Sequence, residues 1–183
     1  MVLARDAGLL VYAGYEKFAQ RILEASGDEG AKALKIDTDN RPETLIASSR
    51  KVAERLGTVA AQEAWAKSFS AYAEASRARV RKALGARRVA VQAQLKSWME
   101  WMGFAVVGTF GPGEPSPAQM LELIKAKPEL VIDNYHGPSG QALAESLKVP
   151  YALLINFPGK DGTESLEEVY AYDEKALLGA AGR

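Results

Sequence analysis

The residues best placed to do chemistry lie in one stretch, Leu130 to Gln141 (LVIDNYHGPSGQ). There an apolar run ends in a carboxylate, an amide, a phenol and the chain's one histidine. Such a run reads as a buried strand, and open α/β sheets collect ligands at the carboxyl ends of their strands. Asp133 and His136 offer a carboxylate oxygen and an imidazole nitrogen to a divalent transition ion. Two donors fall short of the three or four that such a site uses. The alternative leaves Asp133 and Asn134 to satisfy a loop and cap the next helix, with His136 in solvent. A serine-hydrolase elbow fails on register: after Gly137-Pro138-Ser139 the second glycine, Gly140, comes one place early.

Composition narrows the chemistry further. The 183 residues include 23 Lys+Arg and 23 Asp+Glu, with Cys 0 and His 1. Disulfides, thiolate metal sites, cysteine nucleophiles and histidine clusters are therefore excluded. At 48% hydrophobic and 25% charged, the chain has the composition of a globular protein with a sizeable core. It has neither a phosphate-cradling Walker loop nor GxGxxG, so nucleotide chemistry has no warrant. No apolar run is long enough to span a bilayer, and Met1–Gly8 lacks the basic stretch and apolar segment of a secretory signal. Arg77, Arg79, Arg81, Lys82, Arg87 and Arg88 cluster where a long helix ends. On a chain of zero net charge they complement the helix dipole rather than mark a nucleic-acid binder.

The elements that must position these residues follow from periodicity. GLLVY (Gly8–Tyr12) reads as a strand leading through Gly14 into a helix over Tyr15–Ala25, with Phe18, Ile22 and Leu23 at helical spacing and Gly27–Gly30 as its stop. Ala33–Ile36 reads as a second strand, followed by the polar stretch Asp37–Arg41. Pro42 suits the first position of a helix that buries Leu45, Val52 and Leu56, with Asp39 or Asn40 nearby as caps. Beyond Gly57, the residues Trp65, Phe69, Tyr72, Ser76, Val80 and Leu84 draw one stripe along a long Ala-rich helix.

After Gly85 strands and helices alternate. The expected strands are Val89–Ala93, Phe104–Phe110, Leu130–Asp133 and Tyr151–Asn156. The expected helices are Leu95–Met102, Pro117–Ala126, Pro138–Leu147 and Ser165–Leu178. Strand–helix repetition with short links predicts a parallel α/β sheet. Trp98, Met99, Trp101 and Met102 suit either the core of a short helix or a ligand pocket.

Several of these segments together resemble the solute-binding receptors of zinc and manganese ABC importers. GLLVYAGYEKFAQRIL resembles the family's strand and glycine turn before a Leu-Glu-x-Trp motif, with Tyr15-Glu16-Lys17-Phe18 standing there. PETLIASSRKVAERLG and the long helix after it resemble the helices that join two lobes. VAVQAQLKSWMEWMGFAVVGTFGPGEPSPAQMLELI is similar to the C-lobe segment that begins with a ligand histidine, and LVIDNYHGPSGQALAESL to the segment carrying a carboxylate ligand.

The resemblance implies an α/β fold whose C-terminal lobe, a parallel sheet over residues 86–183, is joined by backbone helices over 42–85 to a partial N-terminal lobe over 1–41. It implies capture rather than catalysis. A zinc or manganese ion, the transported ligand and the only cofactor expected, would bind in a cleft and pass to a membrane permease, on the periplasmic or outer face of the cell. In that register Gln92 stands where the family has a histidine ligand, Asp133 falls on a ligand position, and the Asp37–Arg41 region has no histidine. The first ligand lies upstream of the chain's start. The implied metal set is therefore Asp133 with His136, Gln92 and Asp39.

Two other readings remain open. On one, the same scaffold holds a small organic solute through Gln92, Gln94, Asn134, Tyr135, Trp98 and Trp101, which are suited to hydrogen bonding and stacking. On the other, the chain is a partner-binding module with an empty cleft. An enzyme is not expected, because no nucleophile and base are paired. A homodimer is expected, from the apolar edge that a partial N-lobe would expose.

Overall fold

The computed structural model describes residues 8–16, 21 and 33–181. The expected helix over Tyr15–Ala25 and the stop at Gly27–Gly30 lie almost wholly outside the described residues. The chain divides into two units, Met1–Thr38 with Pro42–Ser68, and Asp39–Arg41 with Phe69–Arg183.

In the first unit, the short apolar runs that read as strands pair in parallel, β1 (Leu10–Tyr12) with β2 (Ala33–Lys35), so that Val11 faces Leu34. Helix α1 (Pro42–Leu56) starts at the proline, whose missing N–H costs nothing in a first turn. It buries Pro42, Ser48 and Ala53, whereas Leu56, expected inside, stands in solvent in the last turn. Helix α2 (Val59–Leu84) begins in this unit, where Gln62 Nε2 donates to Ser49 Oγ at 3.0 Å and to the Ile46 carbonyl at 3.2 Å.

The rest of α2 belongs to the second unit, and its stripe buries there as its spacing predicts. Phe69, Ser76, Val80 and Leu84 are buried. The one polar member is satisfied: Ser76 Oγ donates to Glu174 Oε2 at 2.8 Å, and Arg79 grips the same carboxylate through Nε and Nη2 at 2.5 and 2.7 Å. A forked guanidinium on one carboxylate is the strong form of ion pair, and it holds Glu174 below the usual carboxylate range. Arg77 lies over the Trp101 ring at 5.0 Å. Much of the basic cluster thus packs on its own unit.

Four strands form the second unit's sheet: β3 (Arg88–Gln92), β4 (Ala105–Phe110), β5 (Leu130–Asn134) and β6 (Tyr151–Leu154). They are all parallel, in the order β4-β3-β5-β6. The central strand β5 is buried at every residue, as a continuous apolar run between two helical layers must be. Ala90 aligns with Val131, so by the two-residue repeat Ala90, Gln92, Val131 and Asp133 share one face. On that face Ala90, Val131, Phe110, Leu123, Leu143 and Ala144 make one apolar cluster.

The linking helices are α3 (Lys96–Met102), α4 (Pro117–Lys125), α5 (Gln141–Leu147) and α6 (Leu166–Ala181). A capping box fixes the start of α4, with Ser116 Oγ accepting from Gln119 N and the Gln119 side chain accepting from Ser116 N. Helix α5 starts three residues later than Pro138 predicts, for a reason given below. No helix among the described residues is long and apolar enough to cross a membrane.

A second core forms around Tyr170 on α6. Its ring meets Phe69, Trp98 and Trp101 at centroid distances of 5.4, 5.1 and 6.4 Å, and its hydroxyl donates to the Asn40 carbonyl. Trp98 is 1% exposed within this cluster. An indole on a short helix buries its area against the nearest aromatic partners.

Candidate functional site

The carboxyl ends of β3, β5 and β6 bring most of the candidate residues to one edge of the sheet, and Asp133 organises it. Its side chain is fully buried and accepts four hydrogen bonds from its own unit. Oδ1 takes the Asn134 N–H at 2.8 Å, and Oδ2 takes the Ser139 N–H at 2.8 Å, the Gly140 N–H at 2.7 Å and the Tyr151 hydroxyl at 2.8 Å. These bonds fold the chain after β5 back over the strand end and hold residues 138–140 out of the helix, so α5 begins only at Gln141. Burial and the bond to Asp133 raise the Tyr151 phenol well above its usual range, keeping it a donor. Three of the four bonds fall on Oδ2, so Asp133 positions the loop, while Oδ1 accepts from Asn134 N–H.

Around that loop sit the amides. Gln92, the last residue of β3 and 2% exposed, donates through Nε2 to the Gly137 carbonyl at 2.9 Å, and its Oε1 is buried without a partner. Asn134, at the end of β5, accepts the His136 N–H at 2.9 Å and donates to Gln94 Oε1 at 3.3 Å. Gly140 must be glycine for a steric reason, since a Cβ there would lie 2.4 Å from Phe110 Cζ.

His136 leaves the carboxylate and packs face to face on Phe157, centroids 3.8 Å apart, with Tyr135 edge-on at 5.3 Å. Partial burial lowers the His136 pKa, so its imidazole is neutral near pH 7 and able to ligate. Lys160 Nζ stands 5.1 Å over the Tyr135 ring.

Beyond β6 two residues complete the edge. Ile155 N–H donates to Asp173 Oδ1 at 2.8 Å in place of a ladder bond, which ends the strand at Leu154, two residues short of expectation. Desolvation, only partly offset by that N–H, pushes the Asp173 carboxyl up to about 8. Asn156 follows; its carbonyl accepts from Asn40 Nδ2 at 3.1 Å, and its buried Oδ1 has no partner. Asp39 accepts from Arg41 N at 2.9 Å, Arg41 Nε at 3.0 Å and Ser97 Oγ at 2.5 Å. The sequence reading misses Asn156 and weighs Ser139 only as a hydrolase nucleophile. The available signal was a polar residue closing an apolar run, since YALLIN repeats the form of LVIDN.

Among the described residues no three His, Cys, Asp or Glu side chains are grouped to hold a metal ion. What the edge offers instead is amide oxygen, one imidazole and a buried carboxylate behind them.

This architecture is the fold of the solute-binding proteins that hold metal ions. The chain is similar to the solute-binding protein FpvC of Pseudomonas aeruginosa in complex with nickel, with a TM-score of 0.74 and 19% identity over 96% of this chain and 78% of that one. A mutant of the laminin-binding adhesin Lmb of Streptococcus agalactiae gives a TM-score of 0.74 at 14% identity, covering 98% of this chain and 83% of that one. A manganese-bound mutant of a periplasmic metal binding protein from candidatus liberibacter asiaticus gives 0.70 at 13%, covering 98% and 82%. At these identities the likeness is one of fold. No family model matches the sequence, and no curated protein matches it.

Proposed function

We propose that this chain is the solute-binding receptor of an ABC importer. It captures a divalent metal ion, zinc or manganese, at the carboxyl edge of the β4-β3-β5-β6 sheet and presents it to a membrane permease, on the periplasmic or outer face of the cell. The observation that carries the reading is a likeness of fold, over nearly the whole chain, to proteins described with nickel and manganese bound. The role is capture without catalysis.

The donors available for the ion are Gln92, His136 and Asp39. Asp133 serves from behind as the buried carboxylate that shapes the loop. With one imidazole and no thiolate in the entire chain, any such site is dominated by oxygen. Oxygen donors suit manganese better than they suit zinc.

A second reading is favoured by a specific observation, the lack of a grouped metal-ligand set among the described residues. On it the edge holds a small organic solute through the amides of Gln92, Asn134 and Gln94.

Thermal unfolding of chelator-stripped protein separates the two. Binding of manganese or zinc at a hundred times its dissociation constant adds about 2.7 kcal/mol, visible as a saturable rise in melting temperature. A flat response to both ions over several decades of concentration rules out metal capture and leaves the organic solute to be sought by the same assay.

A further inference from the structure

The strands of the second unit are all parallel, so they begin together on the edge opposite the candidate site. A cation stands at the start of each. Arg81 packs against Gly103 ahead of β4, where a Cβ on residue 103 would lie 2.9 Å from its Cδ and Nε. Arg88 opens β3, and its Nη2 donates to the Ala126 carbonyl. Lys127 precedes β5 and Lys148 precedes β6. All four are exposed. Neighbouring strands lie about 4.8 Å apart, so these cations form a row about 15 Å wide. Lys127 and Lys148 enter no ion pair with a described residue. The acids of this edge are engaged: Glu122 with Lys125 Nζ at 2.8 Å, Glu129 with the Arg88 N–H at 2.9 Å, and Glu145 with Gln141 Nε2 at 3.0 Å.

The backbone places part of this charge against local preference. Helices α2 to α5 also end on this edge, each followed by a residue in the left-handed region. After α2 and α3 it is Gly85 and Gly103, with φ of +62° and +99°, which glycine adopts freely. After α4 and α5 it is Lys127 and Lys148, with φ of +48° and +53°, where a Cβ is strained. A cation within the last turn, as Arg81, Lys82 and Lys125 are, complements the helix dipole. That effect does not call for a lysine on the strained residue itself.

We propose that this row is a docking surface for a linear anionic polymer that carries a phosphate on each repeat. Charge complementarity names the partner, because a row of like charges holds an anion of repeated charge far better than a small single one. Guanidinium forks and lysine point charges both suit phosphate oxygens. No base is read: the exposed aromatic rings of this unit, Tyr135 and Phe157, stand on the opposite edge and leave none here to stack. The direction in which the row faces rests on the receptor reading above. A receptor that offers its carboxyl edge to a permease turns its amino edge away from that membrane, so the partner is a polymer and not lipid headgroups.

The full chain, kept in chelator so that captured metal plays no part, is titrated calorimetrically at stepped sodium chloride with sodium polyphosphate, heparin and phosphatidylglycerol vesicles. Polyphosphate is expected to bind, less tightly as salt rises. Replacing both strained lysines, Lys127→Gly with Lys148→Gly, is expected to weaken it about tenfold or more and to lower the slope of log K against log salt by about 1.4. The same variant relieves two left-handed side chains, so its melting temperature stays at or above that of the native chain. Lys51→Gln, on the exposed face of α1, leaves the affinity unchanged. Failure of polyphosphate to bind the native chain overturns the proposal, and so does equal binding by the double lysine variant. Binding to heparin alone overturns the phosphate assignment, and binding to vesicles in place of the polymer overturns the partner. Metal capture is judged separately by the response to manganese, so either reading can fall while the other stands.

Discussion

Asp133→Ala is expected to cost about 3–5 kcal/mol of folding stability, the largest loss from any single substitution on the carboxyl edge. The carboxylate accepts from three backbone N–H groups and the Tyr151 hydroxyl. Alanine leaves those donors facing a buried hole, and each buried donor that finds no replacement costs about 1–3 kcal/mol. Some recover a water as the loop loosens, which keeps the total below the sum. Urea unfolding with a shared slope measures it. A loss under about 1 kcal/mol would show that the loop does not depend on this carboxylate. The prediction also decides how binding must be tested: a drop in metal affinity in this variant would report a disordered edge as readily as a missing ligand. Gln92 and His136 are the cleaner probes.

The second large effect is set by Asp173 and has an unusual sign for a carboxylate. Burial holds its pKa at about 8 in the folded chain, against 3.8 for the free group. The folded state therefore keeps a proton that the unfolded state has already released. Its contribution to stability is fully present below about pH 4 and is lost as the pH rises through 8. Asp173→Asn keeps an oxygen for the Ile155 N–H and removes the titration. It is expected to stabilise the protein at pH 8 by on the order of 2–4 kcal/mol and to flatten the rise toward acid. Melting curves of both proteins, taken in steps from pH 5 to pH 8, check this. Parallel pH profiles for native and variant would mean that Asp173 ionises in the fold at no cost.

Much of this architecture was legible because the strands are apolar runs between helices of clear period. The order of strands and helices after Gly85 and the buried stripe on α2 follow from spacing alone, since burial on two faces or on one stripe writes itself into residue type. What escaped depends on single polar contacts between residues distant in sequence. Pro138 signals a helix start, but Asp133 takes the Ser139 and Gly140 N–H groups and delays the helix to Gln141. Asn156 reads as the last strand residue until Asp173, eighteen positions beyond Ile155, claims the Ile155 N–H.

The site was legible in place more than in detail. A strand ending in Asp133 pointed to the carboxyl edge, and the edge is where Gln92, Asn134 and Asn156 gather. Residue type could not reveal that Asp133 would accept from Ser139, Gly140 and Tyr151, while Gln92 Oε1 and Asn156 Oδ1 would find no partner. Nor could it separate a tryptophan in the core from one in a cleft, because both demand the same large apolar surface at the same helical position; Trp98 packs on Tyr170.

The central claim is that this edge captures a divalent ion, and equilibrium dialysis of the chelator-stripped chain against manganese and zinc, with metal counted per chain, tests it most directly. The account predicts retention of one of these ions at a fixed stoichiometry. Metal no higher inside the bag than outside, at every concentration tried, would contradict it.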